Sequence, residues 1–382
     1  MKTLYLIFYG RFPSEKAAAL FAAKDSEAFA EEGVNVVLLV PRRSFRDRSD
    51  PFEYYHIKKN FKIVYLPTFD LLFLPFFRKF FFVLGYFFFS ISSAVYLLFK
   101  MDKKDVVYSN ESLPLLFSSF FFKNTFYEMH DFPESKFGAF GYFLKRMRFA
   151  LVHNKWKIAR LHELYRMGQE KILYEPNAVD LHDFDILDTK EEARKKLGLS
   201  LHKKIVVYTG HLYGWKGVDT LAEAALLLPK EYLVIFVGGT DADVLRFRGK
   251  YDSDERIMIV GNRKHDEIPL WQKAADTLVL PNTAKEKISK YYTSPMKLFE
   301  YMASKRPVVV TDIPSIREIA DEKNALIVPA DDPKEMAAGL LRAIQDEQRA
   351  KEASGNAYRY VLEHTWKERA KRILRFMRER GA

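Results

Sequence analysis

Twice in this 382-residue chain the same succession appears: a short apolar run, a glycine-bearing loop, an amphipathic stretch and a second apolar run. The first copy is Thr3–Tyr9, Gly10–Ser14, Glu15–Glu32 and, after Gly33, Val34–Val40. The second is Lys204–Tyr208, Gly210–Gly217, Val218–Leu228 and Tyr232–Val237, closing on Gly238-Gly239. Short apolar runs bounded by turn residues predict buried strands, and the spacing of Leu20, Phe21 and Phe29 predicts a helix. Strand–helix–strand units of this kind predict a parallel sheet with crossover helices. Lys62–Leu66, Val106–Ser109 and Thr125–Met129 extend the first sheet; Ile257–Val260, Thr277–Leu280 and Pro307–Val310 extend the second, with a helix around Met296–Ser304. The expected fold class is therefore α/β, with two Rossmann-like domains whose parallel sheets face a central cleft. Ligands of such sheets sit at the carboxyl ends of the strands. The polar, Pro-containing tract Pro176–Asp185 marks the junction, giving domains 1–180 and 181–365. A final helix, Trp366–Met377, follows a region without strand signal.

Composition narrows the chemistry. Cysteine is absent, which excludes disulfides, cysteine-ligated zinc, Fe–S clusters and thiolate nucleophiles. The net charge of +11 favours anionic partners without specifying which. After Met1-Lys2 the apolar run is too short for a signal peptide, so a cytoplasmic location is expected. Of the 33 phenylalanines, 28 fall in residues 1–150, and Phe80–Phe99 carries no charge while Lys79 and Lys100 flank it. Three readings compete for that stretch: a membrane span, an ordinary buried helix, or a helix packed on its own domain with aromatics dipping into a membrane interface. The third is preferred, with Arg78, Lys79 and Lys100 meeting lipid phosphates. A span would put Lys62–Leu66 and Val106–Ser109 on opposite sides of a bilayer although both belong to one sheet. The basic, aromatic stretch Phe140–Arg160 either adds to this surface or is a solvated helix face followed by a strand.

Two segments carry recognisable chemistry. In Tyr291–Pro307 (YYTSPMKLFEYMASKRP), Ser294 before Pro295 reads as an N-cap and first helical turn, leaving the N–H groups of Met296 and Lys297 free. Such amides, with the helix dipole, suit a diphosphate. Glu300, a little over one turn later, is placed to accept hydrogen bonds from two vicinal hydroxyls, unless it is merely a surface residue. In Gly210–Gly217 (GHLYGWKG), glycines let backbone approach an anion while Lys216 and His211 supply charge and a donor. No Walker sequence is present.

Together with FPSEKA, EMHD and PNAVD, and with the run SPMKLFEYMASKRPVVVTDIPSIREI, these segments resemble the glycogen-synthase-like group of retaining glycosyltransferases, the family 4-like enzymes of the GT-B fold. The resemblance runs from residue 3 to about 375 and is most specific in the C-terminal half. It implies a donor site in which His211 and Lys216 stand at the family's Arg and Lys positions. The amides of Met296 and Lys297, after Ser294, would contact the diphosphate, and Glu300 would bind the ribose. Asn262 and Arg263, after Gly261, would face the base. Gly10 would approach the phosphates, Lys16 would lie on the acceptor side, and His130 of EMHD would contact the transferred sugar, with a histidine satisfied at a strand end as the lesser alternative. The chain departs from the family twice: His211 replaces an arginine, and Tyr292 replaces the first of two glutamates eight positions apart. As in the family, the last helix is expected to cross back to the first domain.

These readings converge on a metal-independent, retaining glycosyltransferase without a cofactor, using a nucleotide-diphosphate sugar and a lipid-linked or cell-envelope glycan acceptor at the cytoplasmic membrane surface. A nucleotide-sugar epimerase of the same fold, or a non-catalytic sugar-nucleotide-binding or membrane scaffold protein, are the rivals. The triplets Asp241-Ala242-Asp243 and Asp252-Ser253-Asp254 spell the metal-binding pattern of another glycosyltransferase class, but the first sits where a helix start wants capping acids. His162 and His265 read as exposed residues. No nucleic-acid-binding module accompanies the basic charge.

Overall fold

The computed structural model describes residues 1–43, 48–70, 78–133 and 138–381, and the chain forms two compact units, Met1–Glu175 with Trp366–Ala382 and Pro176–Thr365. The first unit holds a seven-stranded parallel sheet: β1 Thr3–Ile7, β2 Asn35–Pro41, β3 Lys62–Leu66, β4 Val106–Ser109, β5 Thr125–Met129, β6 Phe149–Val152 and β7 Ile172–Tyr174. Its spatial order is β3-β2-β1-β4-β5-β6-β7. The second unit holds β8 Lys204–Thr209, β9 Tyr232–Val237, β10 Ile257–Gly261, β11 Thr277–Leu280, β12 Val308–Thr311 and β13 Leu326–Val328, ordered β10-β9-β8-β11-β12-β13. In each sheet the order reverses once, between β1 and β4 and between β8 and β11. In sheets of this kind ligands bind outside the strand ends at such a reversal.

The strands form because they are continuous apolar runs with both faces covered by helices. Every residue of β1, β4, β5 and β6 is buried, as is every residue of β11 and β12. Strand β6 follows the Gly138–Arg146 helix, the helix-then-strand reading of Phe140–Arg160. Strands β7 and β13 are additions to those expected from sequence; each is only three residues long and half-covered, so its apolar run was too short to read.

The aromatic stretch is one helix, Arg78–Lys100, connecting β3 to β4. Both neighbours lie in the same sheet, so the helix is a crossover and not a bilayer span. Phe89, Ser93 and Leu97 face inward, and the reading as an ordinary buried helix fails on the opposite face. There Phe80, Val83 and Phe99 are 62, 64 and 82% exposed, joined by Phe87, Phe88, Val95 and Leu98. The side chain of Arg78 lies outside the described residues.

The closing helix, Trp366–Glu379, returns to the first unit and lies against the Ala17–Glu31 helix. Its anchor is Arg369, fully buried, which donates to Asp25 Oδ1 and Glu128 Oε1, both at 2.5 Å. Burial alone would raise the Glu128 pKa, but the guanidinium holds it well below the usual carboxylate range. Arg372 adds a fork to the buried carboxylate of Glu175. Removing one partner from a buried ion cluster strands the others without compensation, at a cost of about 3–5 kcal/mol. Arg369→Met is therefore expected to destabilise the first unit by about that amount, read as a lower midpoint in denaturant-induced unfolding. An unchanged midpoint would show that the closing helix is held by its apolar face instead.

Candidate functional site

In the second unit, the residues singled out from sequence gather at the reversal between β8 and β11. Strand β8 ends at Thr209, whose N–H donates to the Tyr301 hydroxyl at 2.9 Å and so ties the strand to the Met296–Ala303 helix. Gly210 follows at φ +122, and a Cβ there would stand 2.8 Å from Lys297 Nζ. A single 3₁₀ turn, Gly214–Lys216, leads to Gly217 at φ +73, where a Cβ would strike the Pro281 carbonyl oxygen at 1.8 Å. Only glycine lets this turn lie against the end of β11, and that contact places Lys216.

Lys216 is partly exposed and rests on the Trp215 ring, 3.7 Å from its centroid. Among the described residues no acceptor or carboxylate pairs with it, and scarcity of water around it pushes its pKa down to about 7. Lys297 Nζ is buried without a hydrogen-bond partner, 4.0 Å from the centroid of the Tyr208 ring. Its pKa lies well below the usual lysine range, first through burial and then through repulsion from Lys216, with Glu300 opposing. The two ammonium groups are thus close enough to disfavour each other.

Beside them begins the Met296–Ala303 helix. Pro295, not Ser294, is its N-cap residue, and no side chain caps it. Ser294 was expected to supply that cap; instead its hydroxyl is buried without a partner and its carbonyl accepts from the Asn177 amide. The cap fails because the Asn177 contact and Pro295 set the entry of the chain. The consequence is chemical: the first-turn N–H groups of Met296 and Lys297 keep neither a helical acceptor nor a capping one, leaving the positive helix end open. Glu300 sits one turn later, mostly buried, with Oε1 3.8 Å from His265 Nε2. His265 is exposed, as its sequence context suggests, yet it faces this carboxylate, a link that spacing 35 residues apart does not announce. His211 stacks flat on Tyr213, with centroids 4.8 Å apart. Asn262 and Arg263 are exposed after β10, Arg263 donating to the Asn262 carbonyl at 2.8 Å. The acidic triplets are occupied locally. Asp243 closes a capping box with Thr240, and Asp254 forks with Arg256.

In the first unit, Gly10 follows β1 with the Phe8 ring packed where a side chain would begin, and Lys16 is exposed at the N-cap of the Ala17–Glu31 helix. The helix starts two residues later than expected. His130 follows β5, its Nε2 3.4 Å from Glu128 Oε1; His153 Nε2 is 3.2 Å from the same oxygen. His153 is buried, and burial pushes its pKa down to about 3, so it is neutral. The ligand atoms of Glu128, His130 and His153 lie within 4.8 Å of one another, a spacing that can take a metal ion. The residues present do not favour one: the oxygen that faces both imidazoles already accepts from Arg369, and a dication there would sit against the guanidinium. Glu111 was not foreseen. It is the N-cap residue of the Ser112–Ser118 helix after β4, accepts from the Tyr9 N–H at 3.1 Å, and has its pKa raised by burial while His130 and Arg43 pull it down. A lone glutamate after a strand gave no signal in the sequence, because the sheet order that sets it beside β1 and β5 is not local.

Residues 203–346 match the family model described as glycosyl transferases group 1. The lipopolysaccharide core biosynthesis mannosyltransferase LpsB of Rhizobium meliloti (strain 1021) is 32% identical over 199 residues, 47% of this chain and 54% of that protein. The D-inositol 3-phosphate glycosyltransferase of Jonesia denitrificans is 28% identical over 242 residues, 59% of this chain and 55% of that protein. The chain thus spans about half the length of these relatives. Among solved structures, sucrose-phosphate synthase from Thermosynechococcus elongatus superposes with a TM-score of 0.80 at 18% identity, covering 99% of each chain. HepE of Anabaena in complex with UDP-glucose does so at 0.73 and 15% identity, over 98% of this chain and 99% of that one. Residues 203–346 are thus similar to the glycosyl transferases group 1 family, and the fold is the GT-B fold that these solved glycosyltransferase structures share.

Proposed function

We propose that this protein transfers a sugar, with retention at the anomeric carbon and without a metal, from a nucleotide-diphosphate sugar to a lipid-linked or cell-envelope glycan at the cytoplasmic membrane surface. The observation that carries the reading is the set of uncompensated positive groups at the reversal of the second sheet. Lys216 and the open amides of Met296 and Lys297 lie there beside Glu300, which is suited to a ribose diol. The acceptor hydroxyl attacks the anomeric carbon as the carbon–oxygen bond to the diphosphate breaks. That bond's electron pair stays on the phosphate oxygen, which also takes the hydroxyl proton. The protein then has two tasks: orienting the partners, and stabilising charge that grows on the leaving group. Lys216, His211 and the helix amides perform the second, while Asn262 and Arg263 face the base. Gly10, Lys16 and His130 of the first unit serve the phosphates, the acceptor and the sugar. LpsB and the putative teichuronic acid biosynthesis glycosyltransferase TuaC of Bacillus subtilis support an envelope acceptor by their names.

A nucleoside diphosphate next to Lys216 raises its pKa from about 7, so binding takes up protons. Affinity is therefore full below that value and falls as pH rises toward 9. In calorimetry at pH 8, run in buffers of different ionisation enthalpy over UDP, GDP and ADP, one nucleotide is expected to bind with net proton uptake. Lys216→Met is expected to lower turnover about 100- to 1,000-fold, and excess chelator to leave wild-type turnover intact. If none of the three nucleotides binds, the donor assignment is wrong.

Support for the membrane surface comes from the exposed face of the Arg78–Lys100 helix, continued through the Phe87–Phe117 ring contact to exposed Phe120, Phe121 and Tyr142. Lys79, Lys100, Lys103, Lys104, Lys123 and Lys145 are exposed in the same segments. Aromatic wedges ringed by lysines suit an anionic interface. The protein should float with vesicles containing anionic lipid and be stripped by high salt, and Phe80→Ser with Phe99→Ser should abolish flotation. Release by detergent alone would contradict surface attachment.

A further inference from the structure

We propose that the side chain of Lys297, and not only its backbone N–H, is a second cation for the donor's diphosphate, resting over the Tyr208 ring and turning outward to meet the anion. The inference deepens the donor site proposed above and rests on it.

Elsewhere the chain shows how it buries a cation for structural purposes. Lys157 Nζ donates to the carbonyls of Met129 and His130 at 2.8 and 2.7 Å. Arg369 bridges two carboxylates, and Arg194 reaches Asp276 at 2.7 Å and the Ala274 carbonyl at 2.9 Å. Lys297 has none of this. Its ammonium is shut from water with no hydrogen-bond acceptor, and its support is an aromatic face 4.0 Å away together with the field of Glu300, which makes no contact with it. A ring face repays only a fraction of the cost of removing an ammonium from water. Packing does not require the charge either, because a methionine of similar length would fill the same volume at less cost.

Position supplies the reason for tolerating that cost. Lys297 is the second residue of a helix whose open amides mark an anion site, and its head lies against Gly210, the backbone that follows β8. The charged and titratable groups facing it are Lys216 from the 3₁₀ turn, Glu300 from its own helix and Tyr208 from β8. Two like charges converging, with one carboxylate acting on Lys297, form an arrangement that a doubly charged anion relieves at a stroke. It would pair both ammonium groups and restore full protonation to each, consistent with the depressed pKa of both in its absence. One cation per phosphoryl group also gives the site a means of preferring a diphosphate to a monophosphate. A lysine stem of four methylenes allows the short swing required.

The test uses the full-length protein and, for each variant, the nucleoside diphosphate and monophosphate of whichever base wild type binds. If wild type binds neither, the donor reading fails and not this inference. Given binding, Lys297→Met is expected to weaken the diphosphate about 30- to 100-fold and the monophosphate less than about threefold. Without nucleotide its thermal midpoint should rise by about 2–4 °C, because an unpaired buried charge is gone. Lys297→Gln, polar but uncharged, serves as the second variant and should show the same diphosphate-selective loss. That selectivity decides the matter. Its presence supports the proposal, whereas equal losses on both ligands, or none, would overturn it whatever the midpoint does.

Discussion

Positive charge left without a counter-charge organises the second unit. Proteins ordinarily neutralise buried lysines with carboxylates or carbonyls, since an unpaired ammonium in a dry setting costs several kcal/mol, on the order of a sizeable share of a domain's net stability. Here Lys216 and Lys297 approach each other near the end of β8, and among the described residues the only carboxylate that registers on either is Glu300, acting on Lys297. Each is supported by an aromatic ring that attracts a cation weakly. Next to them a helix opens without a capping side chain. Three separate economies of stability have been forgone within one small region, and all three carry the same sign. Such coincidence suits an anion, which restores the charge that burial and mutual repulsion suppress on the two lysines and meets helix amides that are already oriented.

The first unit handles buried charge in the opposite way. Arg369 is enclosed by Asp25 and Glu128, Tyr108 donates to the second oxygen of Glu128, and Arg372 pairs with Glu175. These contacts satisfy charge, fix the closing helix to the sheet, and hold two imidazoles against one carboxylate oxygen. His153 is neutral and enclosed, so it works as a wall; His130 is the more exposed of the pair.

How much of this was readable in advance follows from how local each signal is. Strand runs such as Thr125–Met129 and Tyr232–Val237 match the structure to the residue, because a continuous apolar run bounded by turns is a local property. The three-residue strands β7 and β13 were invisible since so short a run has no periodicity. Lys216 and Glu300 drew notice through motif spacing, and Glu300 does lie within electrostatic reach of Lys297. Ser294 was misread because a Ser-Pro pair looks like a cap until Asn177, over a hundred residues earlier, takes hold of its carbonyl. Glu111 and the Lys297 ammonium were out of reach for a related reason. What makes them notable is the company set by strand order and the room left by Gly210, and neither is written near them in the chain.

The aromatic helix sharpens the distinction between composition and placement. By length and apolar content Lys79–Lys100 qualifies as a membrane span. Topology removes that option, because both strands it joins are in one sheet, yet the exposure of Phe80, Val83 and Phe99 removes the alternative of ordinary burial as well. A helix fixed to its sheet by Phe89, Ser93 and Leu97 and presenting a full apolar stripe on its other side has one face committed to folding and one to something outside the unit. Its inner face also carries Tyr86, whose hydroxyl accepts from the Leu113 N–H and lies near Glu111, so the helix that bears the apolar stripe is also part of the wall beside β1 and β4.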